Sequence, residues 1–359
     1  MKRVLITGSL GYIGSVLTGY LTDRGFECIG FDTGFFEDSL LYPPSKGKTI
    51  IRDVRTLTES DLDGIDILVH LAGISNDPVG SLEASTVYDP TRVYSLNIAR
   101  MCKKKKIRFI FASSCSVYGL GQNDLLSESS ATYPQTLYSL NKLQIEEDLQ
   151  SISDAEFSPI ALRFATVYGP SPRIRFDVVV NMLSGMAVSN RIIVLNSNGL
   201  SWRPNIHILD ACESIHCAIN LDYSAGKLLV MNVGADQDNL RIIEIAKIIE
   251  AADPSYEIKF LSTNLDLDKE GLITDRKVKE GEDTRTYKIS FEKIKNVMPE
   301  FVCKYNMGSG VNEMLSIFRK LLLTPEVFKS RGFYRLQKLE DLYAGGFLSP
   351  DLFWLKTKE

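Results

Sequence analysis

Histidine is scarce in this 359-residue chain, and paired cysteine motifs are absent. Only His70, His207 and His216 occur, and none stands among acidic or thiol residues at metal-ligand spacing, so no metal site is expected. Cys28, Cys102, Cys115, Cys212, Cys217 and Cys303 are scattered without a CxxC pair, which excludes a zinc knuckle or a disulfide framework and leaves reduced thiols. No apolar run approaches the roughly 18 residues that cross a bilayer, and residues 1–7 are too short for the core of a signal peptide. A cytoplasmic location with no membrane partner is the expectation. A net charge of −4 gives no general attraction to nucleic acid. The four lysines at 103–106 fall where a helix ends, so they meet the carbonyl end of its dipole. There is no internal repeat.

What is there is ordinary globular material, 44% hydrophobic and 24% charged, in a chain long enough for one α/β unit plus a smaller domain. Up to residue 165, β-rich runs at 4–6, 28–31, 49–51, 67–71, 109–111 and 159–162 alternate with helical stretches. That alternation predicts a doubly wound parallel sheet, an α/β Rossmann domain over 1–165. Helices are expected at 178–189, 210–221, 240–251 and 310–322, and strands at 192–195 and 228–232. They predict a smaller mixed α/β substrate region over 166–323, with some segments returning to the first domain. Residues 262–283 read as a charged surface loop. The tail, 324–359, is aromatic enough to dock but shows no role.

The first strand runs into Thr7-Gly8-Ser9-Leu10-Gly11-Tyr12-Ile13-Gly14, followed by an amphipathic stretch that stops at Gly25. A strand, glycines and then a helix present free backbone N–H groups and a positive helix end to a pyrophosphate. Gly8 allows the turn, Gly11 the close approach and Gly14 the helix packing. Asp32 ends the second strand, where its carboxylate accepts from an adenosine ribose diol and repels a 2′-phosphate, so NAD is favoured over NADP. The spacing GxxGxxG resembles the extended short-chain dehydrogenase/reductase family, whose members largely process nucleotide sugars. Asp53-Val54 looks like that family's adenine contact, and His70-Leu71-Ala72-Gly73 is similar to its fourth-strand motif lining the dinucleotide.

Tyr138 and Lys142, four residues apart, share one face of a helix. A lysine ammonium beside a phenol favours the phenolate, which suits Tyr138 to act as general base. Upstream, Ser113-Ser114-Cys115-Ser116-Val117-Tyr118-Gly119 closely resembles the family's SSxxVYG segment. The resemblance makes Ser114 the hydrogen-bond partner of the reacting sugar hydroxyl, Tyr138 the base, and Lys142 a holder of the cofactor ribose. Relatives that carry out 4,6-dehydration have an Asp-Glu pair where this chain has Cys115 and Ser116, which argues against an ordinary dehydratase. Cys115 is either a proton donor in an unusual elimination or epimerisation or a small packed residue. Thr91 also departs, standing where a helix asparagine is usual.

The segment 162–170 looks like the family's crossing into the substrate domain, with Thr166 in place of asparagine. Asn181, Arg203 and Arg285 fall where relatives hold a nucleotide diphosphate, a task that suits the arginine fork. His207 reads as a structural histidine, and Trp202 as either a base-stacking or a core residue. These residues imply an NAD-dependent nucleotide-sugar epimerase acting on a nucleotide-diphosphate sugar through a keto intermediate. A 4-ketoreductase or dehydrogenase, an unusual dehydratase using Cys115, and a catalytically silent NAD sensor are the alternatives. The family also implies a homodimer formed through the helix that carries Tyr138.

Overall fold

A computed structural model describes residues 1–45, 47–75, 84–260 and 286–355. The charged segment 262–283 and Arg285 lie outside these described residues. The chain opens β1 (Arg3–Thr7), α1 (Gly14–Thr22), β2 (Glu27–Asp32), β3 (Lys48–Ile51), β4 (Ile67–His70), α2 (Ala84–Lys104) and β5 (Arg108–Ser114). Next come β6 (Leu120–Leu126), α3 (Leu137–Ile152), β7 (Ile160–Phe164), β8 (Thr166–Tyr168), α4 (Val179–Asn190), β9 (Ile192–Leu195) and β10 (Trp202–His207). It continues through α5 (Ile208–Asn220), β11 (Leu229–Val233), β12 (Asn239–Arg241), α6 (Ile242–Glu250), β13 (Glu257–Phe260) and β14 (Thr286–Ile289). The last elements are α7 (Glu292–Val297), α8 (Met307–Lys320), α9 (Pro325–Phe328) and α10 (Arg335–Ala344).

Seven parallel strands form one sheet in the order β11-β7-β5-β4-β1-β2-β3. The six expected strands are joined by β11, which runs beside β7 with Leu229 opposite Ile160. The fold is therefore the doubly wound α/β arrangement, and the smaller sheets β12-β10-β8, β13-β9 and β14-β6 accompany it. Both faces of the large sheet are apolar because both are covered. Leu17 and Leu21 of α1 pack with Ala211, Ile215 and Ile219 of α5 on one face, and Ile98 of α2 packs with Ile145 and Leu149 of α3 on the other. Strand order reverses between β1 and β4, which opens a crevice at the carboxyl edge.

Local chemistry sets the element ends. Gly25, at φ +83°, takes the left-handed conformation that stops the turn after α1. The lysine run closes α2, and each lysine finds a carboxylate: Lys103 meets Asp154, Lys104 Glu59, Lys105 Asp63 and Lys106 Glu156. Among the described residues no helix is long and apolar enough to cross a membrane.

The C-terminal segment folds back along the crevice. Phe328 and Phe333 pack on Phe176 at ring separations of 4.9 and 5.6 Å. Phe353 lies 3.4 Å from the Arg55 guanidinium, and Trp354 Nε1 donates to Thr33 O at 2.7 Å, just beyond the end of β2.

Beneath the crevice, His70 is fully buried between two hydroxyls, Thr7 Oγ1 at 2.7 Å from Nδ1 and Ser95 Oγ at 2.9 Å from Nε2. Burial, aided by the Lys142 charge, pushes its pKa down to about 3, so the ring stays neutral. An unfolded histidine binds a proton near 6.5, so the folded state should lose about 1 kcal/mol per pH unit from this group as pH falls from 6.5 toward 3. Denaturant titrations of wild type and His70→Gln check this, with a flatter acid limb expected in the variant.

Candidate active site

The glycine turn is built by contacts that no side chain would survive. A Cβ on Gly8, which sits at φ +75°, would lie 2.8 Å from Ala72 N, and one on Gly14 would lie 2.2 Å from Gly8 O. Gly11 is also close, its Cβ position being 3.1 Å from Gly8 O. The strip Leu71, Ala72 and Gly73 is tied to β1 by Leu71 N, which donates to Thr7 O at 3.1 Å. Asp32 is buried, and its oxygens accept from Leu10 N and Gly34 N at 2.9 Å each. Desolvation raises its pKa while these backbone donors oppose the rise. The result is a narrow cradle of backbone N–H groups with one carboxylate at its far end, which fits a dinucleotide.

Asp53 has its carboxylate gripped by Arg55, with Nε 2.8 Å from Oδ1 and Nη2 2.5 Å from Oδ2. Arg55 in turn donates to Asp351 O and Leu352 O. Asp53 thus fastens the C-terminal segment to the end of β3. Val54 is buried in the core beside it.

At the centre of the crevice, Tyr138 and Lys142 lie one turn apart on α3, with Lys142 Nζ 5.8 Å from the Tyr138 ring centroid. Lys142 is buried, donates to Ala112 O at 2.8 Å and lies over the Phe111 ring at 4.6 Å. Desolvation pushes its pKa down to about 7, partly offset by Glu146 and reinforced by Arg335. Glu146, one turn further along α3, pairs with Arg163 on β7 (Nη2 to Oε2 2.6 Å) and accepts from Ser113 Oγ. Arg163 also donates to Tyr118 OH at 2.8 Å, and Tyr118 donates to Asn232 Oδ1 at 2.8 Å. Nothing in the motifs above named this network, although Glu146 follows Lys142 by one helical turn and was readable on that spacing.

Ser114 ends β5 and caps the short turn that follows, where its Oγ accepts from Ser116 N at 3.2 Å. Ser116 Oγ is buried without a hydrogen-bond partner. Cys115 points the other way. Its thiol is 1% exposed, donates to Arg163 O at 3.1 Å and belongs to the core beneath β7. Burial raises its pKa far above the ordinary thiol range. A neutral thiol turned into the core moves no proton in the crevice, and Cys115 is withdrawn from the acid–base set. Thr91 is buried, its Oγ1 accepting from Tyr94 OH at 3.3 Å, and Asn141 Nδ2 bridges α3 to α2 through Tyr88 O at 2.8 Å.

On the substrate side, Thr166 pairs in register with Asn205. Asn181 is fully buried and fully engaged: Oδ1 accepts from Gly169 N, and Nδ2 donates to Tyr12 OH and Arg175 O, each at 3.1 Å. It bolts the glycine turn to the 169–175 loop and has no donor left for a diphosphate. Arg203 is buried, with Nη1 on Trp202 O at 2.9 Å. Trp202 carries Arg241 and Lys288 over its ring at 4.9 and 5.4 Å, which takes up its face. His207 stacks on Tyr305 at 3.8 Å and caps α5.

The fold also assembles one group of metal-ligand type among the described residues. Ligand atoms of Glu213, His216 and Cys217 lie within 4.8 Å of one another on α5, contrary to the spacing argument that found no such cluster. Glu213 already accepts from Tyr20 and pairs with Arg24, so the trio is a salt-bridged helix face.

A family model described as NAD dependent epimerase/dehydratase family matches residues 4–234. The chain is 24% identical over 280 residues to ADP-L-glycero-D-manno-heptose-6-epimerase of Brachyspira hyodysenteriae, covering 72% of this chain and 84% of that one. It is 26% identical over 263 residues to UDP-N-acetyl-alpha-D-glucosaminuronate decarboxylase of Bacillus cytotoxicus, covering 69% and 79%. Among solved structures, an NAD-dependent NDP-hexosamine 5,6-dehydratase of tunicamycin biosynthesis superposes with a TM-score of 0.74 at 20% identity, covering 89% of this chain and 98% of that one. UDP-glucuronic acid 4-epimerase of Bacillus cereus, solved with NAD, gives 0.70 at 21% identity, covering 89% and 99%.

Glu146→Gln removes the one carboxylate that pairs with Arg163 among the described residues and leaves a buried guanidinium uncompensated. Unfolding free energy measured in urea should fall by roughly 3–5 kcal/mol. A loss under about 1 kcal/mol would mean that water reaches Arg163.

Proposed function

Because the chain belongs to the NAD-dependent epimerase/dehydratase family and is an NAD-dependent enzyme of the extended short-chain dehydrogenase type, we propose that it epimerises a nucleotide sugar. The observation that carries this reading is the pairing of Tyr138 and Lys142 on one face of α3 while Cys115 turns into the core. Only one proton-moving hydroxyl then serves the reacting carbon, which suits oxidation and return at one position better than elimination across two.

Gly8, Gly11, Tyr12, Ile13 and Gly14 hold the cofactor's pyrophosphate region, with Leu71, Ala72 and Gly73 beside it. Asp32 takes the adenosine ribose, Asp53 and Val54 flank the adenine, and Lys142 takes the second ribose. Bound NAD supplies a hydride acceptor that can also give the hydride back. Tyr138 takes the proton of the sugar hydroxyl and later returns it, while Ser114 holds that oxygen in reach. Lys142 stabilises the phenolate that Tyr138 presents before it takes this proton and regains after returning it. Ser116 and Thr166 border the sugar, and Arg203 faces the nucleotide diphosphate. A homodimer through α2 and α3 is supported by the exposed apolar side chains Val93, Leu137 and Leu140 on those helices.

The test is mass spectrometry of a nucleotide-sugar panel incubated with the enzyme in deuterated water. An epimer should form without net NADH and without solvent deuterium at the neighbouring carbons. Tyr138→Phe should keep its bound NAD and lose roughly 10²- to 10⁴-fold in turnover. Net NADH with a keto sugar would instead assign a dehydrogenase or ketoreductase, the reading that ranks second.

A further inference from the structure

Two buried arginines in the crevice make no ion pair among the described residues. Arg173 is 1% exposed, and its Nε and Nη2 lack any hydrogen-bond partner; Arg335 is 8% exposed, and its Nε likewise lacks one. Among the described residues neither lies within ion-pair distance of a carboxylate: Asp177, whose charge both feel, pairs with Arg175, and Asp38, felt by Arg173, pairs with Lys338. Buried charge left in this state costs several kcal/mol unless a ligand completes it. Arg335 also opens α10, whose first turn has no acidic residue and no side-chain cap, so helix dipole and guanidinium ask for the same sign of partner.

Where they stand says which anion. Ser171 Oγ donates to Tyr12 O at 2.8 Å and Asn181 joins Tyr12 to Arg175, so the loop carrying Arg173 is bolted to the glycine turn. Arg335 donates to Ser75 Oγ, two residues beyond the strip Leu71 to Gly73, and Arg175 reaches the same oxygen at 2.9 Å. Arg173 and Arg335 both lie against the Phe36 ring, at 4.5 and 5.8 Å from its centre. The Arg335 charge is felt by Asp32 at one end of the cradle and by Lys142 at the other. Between the two riboses of a dinucleotide lies its pyrophosphate, with two negative charges.

We propose that Arg335 and Arg173 are the cation pair that receives the pyrophosphate of NAD, which makes the C-terminal segment a wall of the cofactor site. The proposal rests on NAD as the cofactor and not on epimerisation. An acidic group on the sugar has the same chemistry, and the binding arms below separate the two sources.

Full-length wild type, Arg335→Met, Arg335→Lys and Arg173→Gln, stripped of nucleotide, are titrated calorimetrically with NAD, ADP-ribose, adenosine and UDP-glucuronic acid. Arg335→Met and Arg173→Gln should each bind NAD and ADP-ribose roughly 10- to 100-fold more weakly, the scale of one charged hydrogen bond, with adenosine unchanged. Arg335→Lys should fall between. Thermal unfolding keeps the result readable. Without nucleotide, Arg335→Met should melt no lower than wild type because it removes an unpaired buried charge, and NAD should raise its Tm less. Unchanged NAD and ADP-ribose affinity would overturn the proposal; if the sugar nucleotide alone weakened, the pair would belong to an anion of the substrate, its diphosphate or its carboxylate. A lower nucleotide-free Tm with an undiminished NAD-induced rise would make Arg335 a packing residue.

Discussion

Lys142 has been taken out of water, and much of the architecture follows from what keeps it there. Its ammonium rests on the Ala112 carbonyl and the Phe111 ring, one turn from a buried carboxylate, Glu146. The Glu146 carboxylate raises the Lys142 pKa against the burial that lowers it, and Glu146 is itself gripped by Arg163. Arg163 is then oriented by Tyr118, and Tyr118 by Asn232. One chain of polar contacts therefore runs from α3 through β7 to β11 and fixes how the helix carrying Tyr138 sits on the sheet. Half of it missing would be worse than none, because each remaining member would be buried without a partner.

The same economy shapes the two sides of the crevice. Backbone N–H groups at the glycine turn provide a weak, directional positive field, which suits a phosphate but cannot neutralise two charges alone. Full charges arrive from chain segments far away in sequence, the loop at 173–175 and the start of α10. Their docking depends on Phe176, Phe328 and Phe333, so the aromatic character of the tail and the charge balance of the cofactor site are one design.

Features that depend on neighbours in sequence were legible from the start. Gly8, Gly11 and Gly14 between a strand and a helix, Asp32 at a strand end and the four-residue step from Tyr138 to Lys142 are each set by local geometry. The doubly wound α/β class followed from alternation alone. Features set by three-dimensional approach were not. The inward turn of Cys115 depends on a short turn capped by Ser114, and Asn181 is spent on Gly169, Tyr12 and Arg175. No spacing rule connects Ser75 with Arg335, whereas Glu213, His216 and Cys217 stand at i, i+3 and i+4 on the helix expected at 210–221 and were readable as one face. The edge position of β11 was hidden because its apolar run reads the same in either region.

The central claim is that one hydroxyl, Tyr138, serves one carbon, and that the hydride removed from that carbon goes back to it. The most direct measurement follows a deuterium placed on the carbon that is inverted, using the substrate found in the panel and NMR of the product after many turnovers. Deuterium retained at that carbon in both epimers is the expected result. Deuterium found at an adjacent position, or carried away on reduced cofactor, would contradict it.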